Sequence, residues 1–309
     1  MLDRLRIATR KSPLALWQAE HVKAALQAAN SGLEVELVTM TTQGDKLLDS
    51  PLAKIGGKGL FVKELEQGIL DGSADIAVHS MKDVPVHLPD GLHLPVIMRR
   101  ENPFDALVSN RYRSFDDMPS NARIGTCSLR RQSQILARYP DFEICVLRGN
   151  VNSRLAKLDN GDFDAIVLAA AGLIRLGMAD RIAHEISADV SLPAVGQGAL
   201  GIECRVGDKD VMQLIETLHD DKTASRLAAE RALNARLNGG CQVPIAAYAE
   251  IDGETLDLRG MVASPDGKRI LYSDVRGDVA DAHSIGIRAA ESLLEQGAHE
   301  LLSSLGIDV

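Results

Sequence analysis

The sequence predicts an α/β protein with two strand–helix–strand lobes and a smaller α+β module after them. Three observations carry that expectation. Strand-like and helix-like runs alternate from Leu5 to Met98 and again from Arg123 to Ala170, and such repetition builds parallel sheets covered by helices on both faces. The alternation breaks at Glu101-Asn102-Pro103, and the Pro- and Gly-rich stretch Leu192–Gly201 reads as a crossing back between lobes. From about Thr223 onward the pattern becomes one helix and then three β-like runs. A chain of 309 residues suits two or three such units.

Each element has a local reason. Leu5–Thr9 is a short β-like run. Ser12-Pro13 follows as N-cap and first helical residue, opening a helix whose Trp17, Val22, Ala25 and Leu26 share a face. In Glu34–Met40, Val35 and Leu37 alternate with acids, as in a half-buried strand. The glycine-rich turn Ile55-Gly56-Gly57-Lys58-Gly59 leads into a helix from Leu60 to Asp71, closed by Gly72, before strands Ala74–His79 and Leu94–Met98. The second lobe reads as strand Arg123–Thr126, helix Ser128–Tyr139, strand Glu143–Leu147, helix Val151–Asn160 and strand Ala165–Ala170. The last module reads as a helix through Ala232–Leu237, strands Ile245–Ile251, Thr255–Val262 and Ile270–Val275, and one long helix from about Ala280 to Leu305.

Composition narrows the function classes. The residues are 45% hydrophobic and 25% charged, which is globular, and 3% aromatic, so the core must come from Ala, Val, Ile and Leu. A net charge of −9 argues against a general nucleic-acid or anionic-membrane binder. The longest apolar stretch, Ala165–Ile174, is far short of the ~18–20 residues that span a bilayer. No apolar run follows Met1-Leu2-Asp3-Arg4, so no secretory leader is expected, and a cytoplasmic location is. Cys127, Cys145, Cys204 and Cys241 form no CxxC pair and have no histidine cluster nearby; they read as reduced thiols, with no metal site expected.

Charge is uneven within this acidic chain. Asn121–Asn160 holds seven cations (Arg123, Arg130, Arg131, Arg138, Arg148, Arg154, Lys157) and three acids. Arg130 and Arg131 fall in the first turn of the expected helix, where the dipole favours acids, so an anion must lie close to them. Arg148, after the next strand, and Arg154, in the next helix, point to the same carboxyl edge, where ligands bind in open α/β sheets. In the first lobe, Arg10-Lys11-Ser12, Lys54, Lys58 and Lys63 make a matching basic set, although no P-loop pattern is present. His79-Ser80-Met81-Lys82-Asp83 ends a strand there; His79 reads as a packed core residue and Asp83 as a carboxylate kept ionised by neighbouring cations. Gly239-Gly240-Cys241 places a thiol on a flexible turn. These residues define an organic-anion site and leave two other readings open. One is a non-enzymatic two-lobed anion binder. The other is a thiol-dependent transferase using Cys241, although no histidine lies near it in sequence.

The segments IATRKSPLALWQ (Ile7–Gln18), KIGGKGLFVKELE (Lys54–Glu66), DIAVHSMKDVP (Asp75–Pro85), IGTCSLRRQSQ (Ile124–Gln134), the run Leu147–Gly177, LPAVGQGALGIECR (Leu192–Arg205) and ERALNARLNGGCQVPI (Glu230–Ile245) resemble the porphobilinogen deaminase (hydroxymethylbilane synthase) family, in order and across essentially the whole chain. The resemblance implies two lobes like those of a periplasmic binding protein plus a small α+β third domain. Residues 1–99 with 199–217 would form the first lobe, 104–193 the second and 222–309 the third domain. It implies head-to-tail joining of porphobilinogen, with loss of ammonia, on a dipyrromethane primer attached covalently to Cys241. Asp83 would be catalytic. Ser80, Lys82, Thr126, Ser128, Arg130, Arg131, Arg148, Gly149, Asn150 and Arg154 would hold the cofactor. Arg10, Ser12, Lys54, Lys58, Phe61, Arg175 and Gln197, with Arg148 and Arg154, would meet the substrate. Cys127 stands where many members carry serine. A monomer that binds neither nucleic acid nor membrane is expected.

Overall fold

The computed structural model describes residues 2–46, 59–240 and 242–307. Its first sheet has the order β2-β1-β3-β10-β4, built from β1 (Arg4–Arg10), β2 (Glu34–Met40), β3 (Ile76–Ser80), β4 (Leu92–Ile97) and β10 (Leu200–Arg205). The second has the order β7-β6-β8-β5-β9, from β5 (Asp105–Val108), β6 (Arg123–Gly125), β7 (Glu143–Cys145), β8 (Ala165–Ala169) and β9 (His184–Ile186). Strands β11 (Ile245–Asp252), β12 (Thr255–Ala263) and β13 (Ile270–Asp278) form an antiparallel third sheet.

The helices among the described residues are α1 (Pro13–Ala29), a single turn α2 (Gln43–Lys46), α3 (Lys63–Leu70), α4 (Leu129–Arg138), α5 (Val151–Asp159), α6 (Ala170–Arg175), α7 (Lys209–Ile215), α8 (Asp221–Arg236), α9 (Ala282–Glu295) and α10 (Ala298–Ser303). The expected N-cap at Ser12 is present, with its hydroxyl accepting from Ala15 N. Each lobe sheet is covered on both faces. In the first, Leu5, Ile7, Ile76 and Val78 pack towards α1, while Ala8 and Ala77 pack with Leu65 and Ile69 of α3. The third sheet packs one face on α8 and α9 through Leu233, Ala247, Leu258 and Leu293. Its Ala246, Tyr248 and Met261 meet Ala188 and Leu192 of the second lobe.

Two sequence expectations need correction. The lobe sheets are mixed, because β10 runs antiparallel to β3 and β4, and β5 antiparallel to β8 and β9. The reason is the route of the chain. It leaves β4 at the carboxyl edge of one sheet and enters β5 at the carboxyl edge of the other, so β5 must run back. The return from β9 to β10 repeats this. The expected helix from about Ala280 to Leu305 is also two helices, because Gly297 has φ +95° between α9 and α10. That left-handed conformation is a helix stop that glycine accepts at little steric cost.

The two crossings lie against each other. Gly198 has φ +89°, and a Cβ there would sit 2.4 Å from Glu101 O, so only glycine permits this backbone contact. Arg100 donates to Glu230 Oε1 at 2.6 Å and to Gln197 O at 2.8 Å, while Glu230 also accepts from Gly196 N at 2.7 Å and Ala249 N at 3.0 Å. This ion pair, with its side chains almost wholly out of solvent, fastens the third domain to both crossings.

Between α3 and the first sheet lie three buried ionisable groups. His79 Nε2 and Glu203 Oε2 share a hydrogen bond of 2.8 Å, so His79 is the packed core residue expected. Burial, with the Glu203 carboxylate assisting, raises Glu66 to about 7. A carboxyl whose folded value exceeds its unfolded one keeps its proton better in the folded state. Stability therefore falls as pH rises from about 4.5 to 7 and levels off above. The expected size is up to about 3 kcal/mol. Urea titrations at pH 5 and pH 7.5 should show wild type losing more stability than Glu66→Gln; equal losses would contradict this account.

Candidate active site at the facing strand ends

Candidate residues follow the carboxyl ends of parallel strands. After β1, the Arg10 guanidinium pairs with Asp45 and lies over the Phe61 ring, 4.4 Å from its centroid. Burial pushes the Asp45 carboxyl up, but Arg10 and Thr42 hold it below its usual range. After β3 a single 3-10 turn, Met81–Asp83, carries Lys82 and Asp83. Met81 is its anchor. The side chain is buried, its backbone N–H donates to Ala199 O at 3.0 Å, and a Cβ on Gly196 or Gly201 would collide with it. Arg231 of α8 closes the turn by donating to Pro85 O at 2.8 Å. Ser80 Oγ accepts from Gln18 Nε2 at 2.9 Å.

In the second lobe, Thr126 and Ser128 follow β6. Ser128 is the N-cap of α4, accepting from Arg131 N, and Thr126 Oγ1 accepts from Ser128 N. Arg130 and Arg131 lie in the first turn, as expected. The anion that their position demands is internal, and sequence reasoning missed it: Asp105, at the start of β5. Arg130 Nη1 and Nη2 donate to its two oxygens at 2.8 and 3.2 Å, and Arg131 Nε and Nη2 donate to Oδ1 at 3.0 and 2.8 Å. Gln197 Nε2 adds a bond at 2.9 Å. Burial alone would push the Asp105 carboxyl up, but both guanidinium groups hold it far below the carboxylate range. Further N–H groups donate to Leu192 O and Val167 O.

Two arginines remain outside this lock. Arg148 follows β7, and its Nη1 is buried without a hydrogen-bond partner among the described residues. Gly149, at φ +116°, lets the chain turn where any Cβ would meet Ser153 Oγ at 2.2 Å. Asn150 caps α5, and Arg154 Nε donates back to Gly149 O at 2.7 Å. Burial pushes the Arg154 guanidinium down, and Arg131 and Arg148 push the same way, against Cys127 and Asp83. Lys82 is likewise pushed down, by desolvation and by Arg131 and Arg130, against Asp83 and Asp105. Lys82 thus lies within reach of the Arg130 and Arg131 charges, and Asp83 within reach of Arg154, so that at this edge Lys82 and four arginines outnumber Asp83 and Asp105. Such an excess suits a ligand bearing several carboxylates. Arg175, at the end of α6, donates to Gly198 O at 2.7 Å, within the crossing that also holds Gln197. Lys54, Lys58, most of the expected glycine-rich turn and Cys241 lie outside the described residues. Among the described residues no group of three or more His, Cys, Asp or Glu could hold a metal ion, and no helix is long and apolar enough to cross a membrane.

Removing the Asp105 charge should unlock the crevice. Asp105→Asn leaves two buried guanidinium groups facing no full negative charge and should destabilise by about 3–5 kcal/mol in urea. A loss below about 1 kcal/mol would mean that the arginines find another partner.

The family model described as porphobilinogen deaminase, dipyromethane cofactor binding domain, matches residues 5–213, and that described as porphobilinogen deaminase, C-terminal domain, matches residues 224–295. Among solved structures, the chain is similar to the periplasmic VFT2 domain of Bordetella pertussis BvgS (16% identity, 72% of this chain and 91% of that one, TM-score 0.41). It is also similar to a putative methionine-binding lipoprotein of Bacillus subtilis (14%, 72% and 92%, TM-score 0.43). A third is the periplasmic aliphatic sulphonate binding protein SsuA of Escherichia coli (14%, 76% and 70%, TM-score 0.41). The two family models together span nearly the whole chain, which therefore belongs to the porphobilinogen deaminase family, transferases that carry a dipyrromethane cofactor.

Proposed function

We propose that the protein joins four porphobilinogen molecules head to tail, releasing one ammonia at each joining, on a dipyrromethane primer held through a thioether to Cys241. Water then releases the linear hydroxymethylbilane. The observation that carries this reading is the basic edge of the second lobe, Arg148 and Arg154 beside the Asp105-locked pair Arg130 and Arg131, with one buried nitrogen of Arg148 unpartnered among the described residues. The same observation is the test of fit for the cofactor, since each pyrrole ring bears an acetate and a propionate. When bound, the dipyrromethane supplies the pyrrole carbon that the first substrate joins.

The protein's own residues supply binding and charge. Arg148 and Arg154 have donors to spare for carboxylates, and the outer N–H groups of Arg130 and Arg131 add to them. Lys82, Ser80, Thr126 and Ser128 line the cofactor side with the Gly149-Asn150 turn. Arg10, Ser12, Phe61, Arg175 and Gln197, with Lys54 and Lys58, serve the incoming substrate. Loss of ammonia leaves a positive charge on the substrate's methylene-pyrrole, and the Asp83 carboxylate stabilises that charge as it develops. Asp83 can also take the proton that the attacking pyrrole carbon loses once the new bond has formed. Holding the chain covalently turns each addition into a reaction within one complex.

Single-turnover kinetics on adduct-bearing protein test the role of Asp83. Asp83→Asn should keep the fold and the adduct yet slow the reaction at least ~100-fold, the scale of one lost preorganised electrostatic partner. Asp83→Glu should lie between. Asparagine matching wild type, or glutamate proving worse than asparagine, would remove Asp83 from the chemistry. Arg148→Leu and Arg154→Leu should each stall priming or early additions, seen as a truncated ladder of enzyme-bound intermediates on native gels. Normal ladders in both would contradict the anion site.

A further inference from the structure

Trp17, the one tryptophan of the sequence, lies on α1 of the first lobe and is half-buried. Its indole stacks on the His21 ring, with centroids 5.0 Å apart and planes 8° from parallel. The Arg175 guanidinium of the second lobe lies 5.7 Å from the indole centroid. Trp17 thus has a histidine from its own helix on one side and an arginine from the facing lobe in cation–π contact. Beside this contact the lobes touch again: a Cβ added to Gly172 of α6 would meet Leu14 of α1 at 3.7 Å.

Arg175 needs such support. It is nine-tenths buried, yet among the described residues its only side-chain hydrogen bond runs from Nη2 to Gly198 O at 2.7 Å. Burial drives its guanidinium down to about 10, with Glu101 opposing. One hydrogen bond leaves a guanidinium free to turn about the Nη2–oxygen axis. An aromatic face removes that freedom, because the cation is attracted to the ring, and the His21 stack keeps the ring itself from tilting.

We propose that Trp17 is a positioning residue: its indole, braced by His21, holds Arg175 so that the N–H groups not bonded to Gly198 meet a carboxylate of incoming porphobilinogen. This rests on the substrate-binding role proposed for Arg175 and adds the device that orients it across the lobe boundary. Trp17 touches no reacting atom. Its loss should therefore weaken substrate capture more than it slows the chemistry.

The test is a double-mutant cycle on the adduct-bearing protein, read as KM and kcat, with Trp17 fluorescence as an independent signal. Trp17→Leu should raise KM for porphobilinogen about 5- to 20-fold, the range of a partly desolvated cation–π contact, with the smaller effect on kcat. Trp17→Phe should recover most of the loss, and it carries the test if the leucine variant does not fold. In an Arg175→Leu background, Trp17→Leu should add little further loss. The Arg175→Leu protein should also show altered Trp17 emission. An unchanged KM in Trp17→Leu, an equal loss in both backgrounds, or identical emission with and without the Arg175 guanidinium would overturn the proposal. A wild-type protein without turnover would instead sink the polymerisation reading, and the proposal with it.

Discussion

Asp105 accepts from both guanidinium groups of Arg130 and Arg131 and from Gln197 Nε2, all between 2.8 and 3.2 Å, with no exposure to solvent. A buried carboxylate is tolerable only when its charge is matched and its lone pairs are filled, and this one achieves both. The constraint reaches in three directions. It fixes two arginines that would otherwise oppose the dipole of α4. Through Gln197 it draws the returning crossing onto the outgoing one. It also neutralises only one of two positive charges, so the second lobe keeps a positive crevice edge in a protein whose net charge is −9.

The crossings explain how two lobes come to share one site. Both connect carboxyl edge to carboxyl edge, which turns β5 and β10 antiparallel and sets the ligand-facing rims opposite each other. Their closeness depends on Gly196 and Gly198, where larger residues would strike Met81 or Glu101. Asp83 therefore inherits its place from packing. Met81 wedges under the turn and Arg231 closes it, so the carboxylate sits on a braced support opposite Arg154. Preorganisation of this kind lets a single carboxylate act strongly on a developing charge.

Much of this was legible in the sequence, for identifiable reasons. Ser12-Pro13, the alternation in Glu34–Met40 and the arginines after Gly125 are local signals, and the elements they announce lie where expected. Strands β5 and β9 were missed because β5 starts just past the break at Glu101-Asn102-Pro103 and β9, His184-Glu185-Ile186, carries a single apolar residue. Helix α8 was read only from Ala232, although it begins at Asp221, because its first turns are polar. Its N-cap, Asp220, was the available signal. Asp105 was invisible for a deeper reason. One acid after a proline has no pattern, and its meaning comes from partners 25 to 92 residues away. The sequence argument could say that an anion was needed beside Arg130 and Arg131, but not that the fold supplies one.

The central claim is that a cationic crevice holds a polycarboxylate primer fastened to Cys241. Intact-mass spectrometry of the purified wild-type protein, followed by peptide mapping, tests it most directly. The account predicts a mass above that of the sequence by two linked pyrrole units, located on the peptide containing Cys241. Adding porphobilinogen should then produce a ladder of single-unit increments. A mass equal to that of the bare chain, or an adduct on Cys127, Cys145 or Cys204, would contradict it.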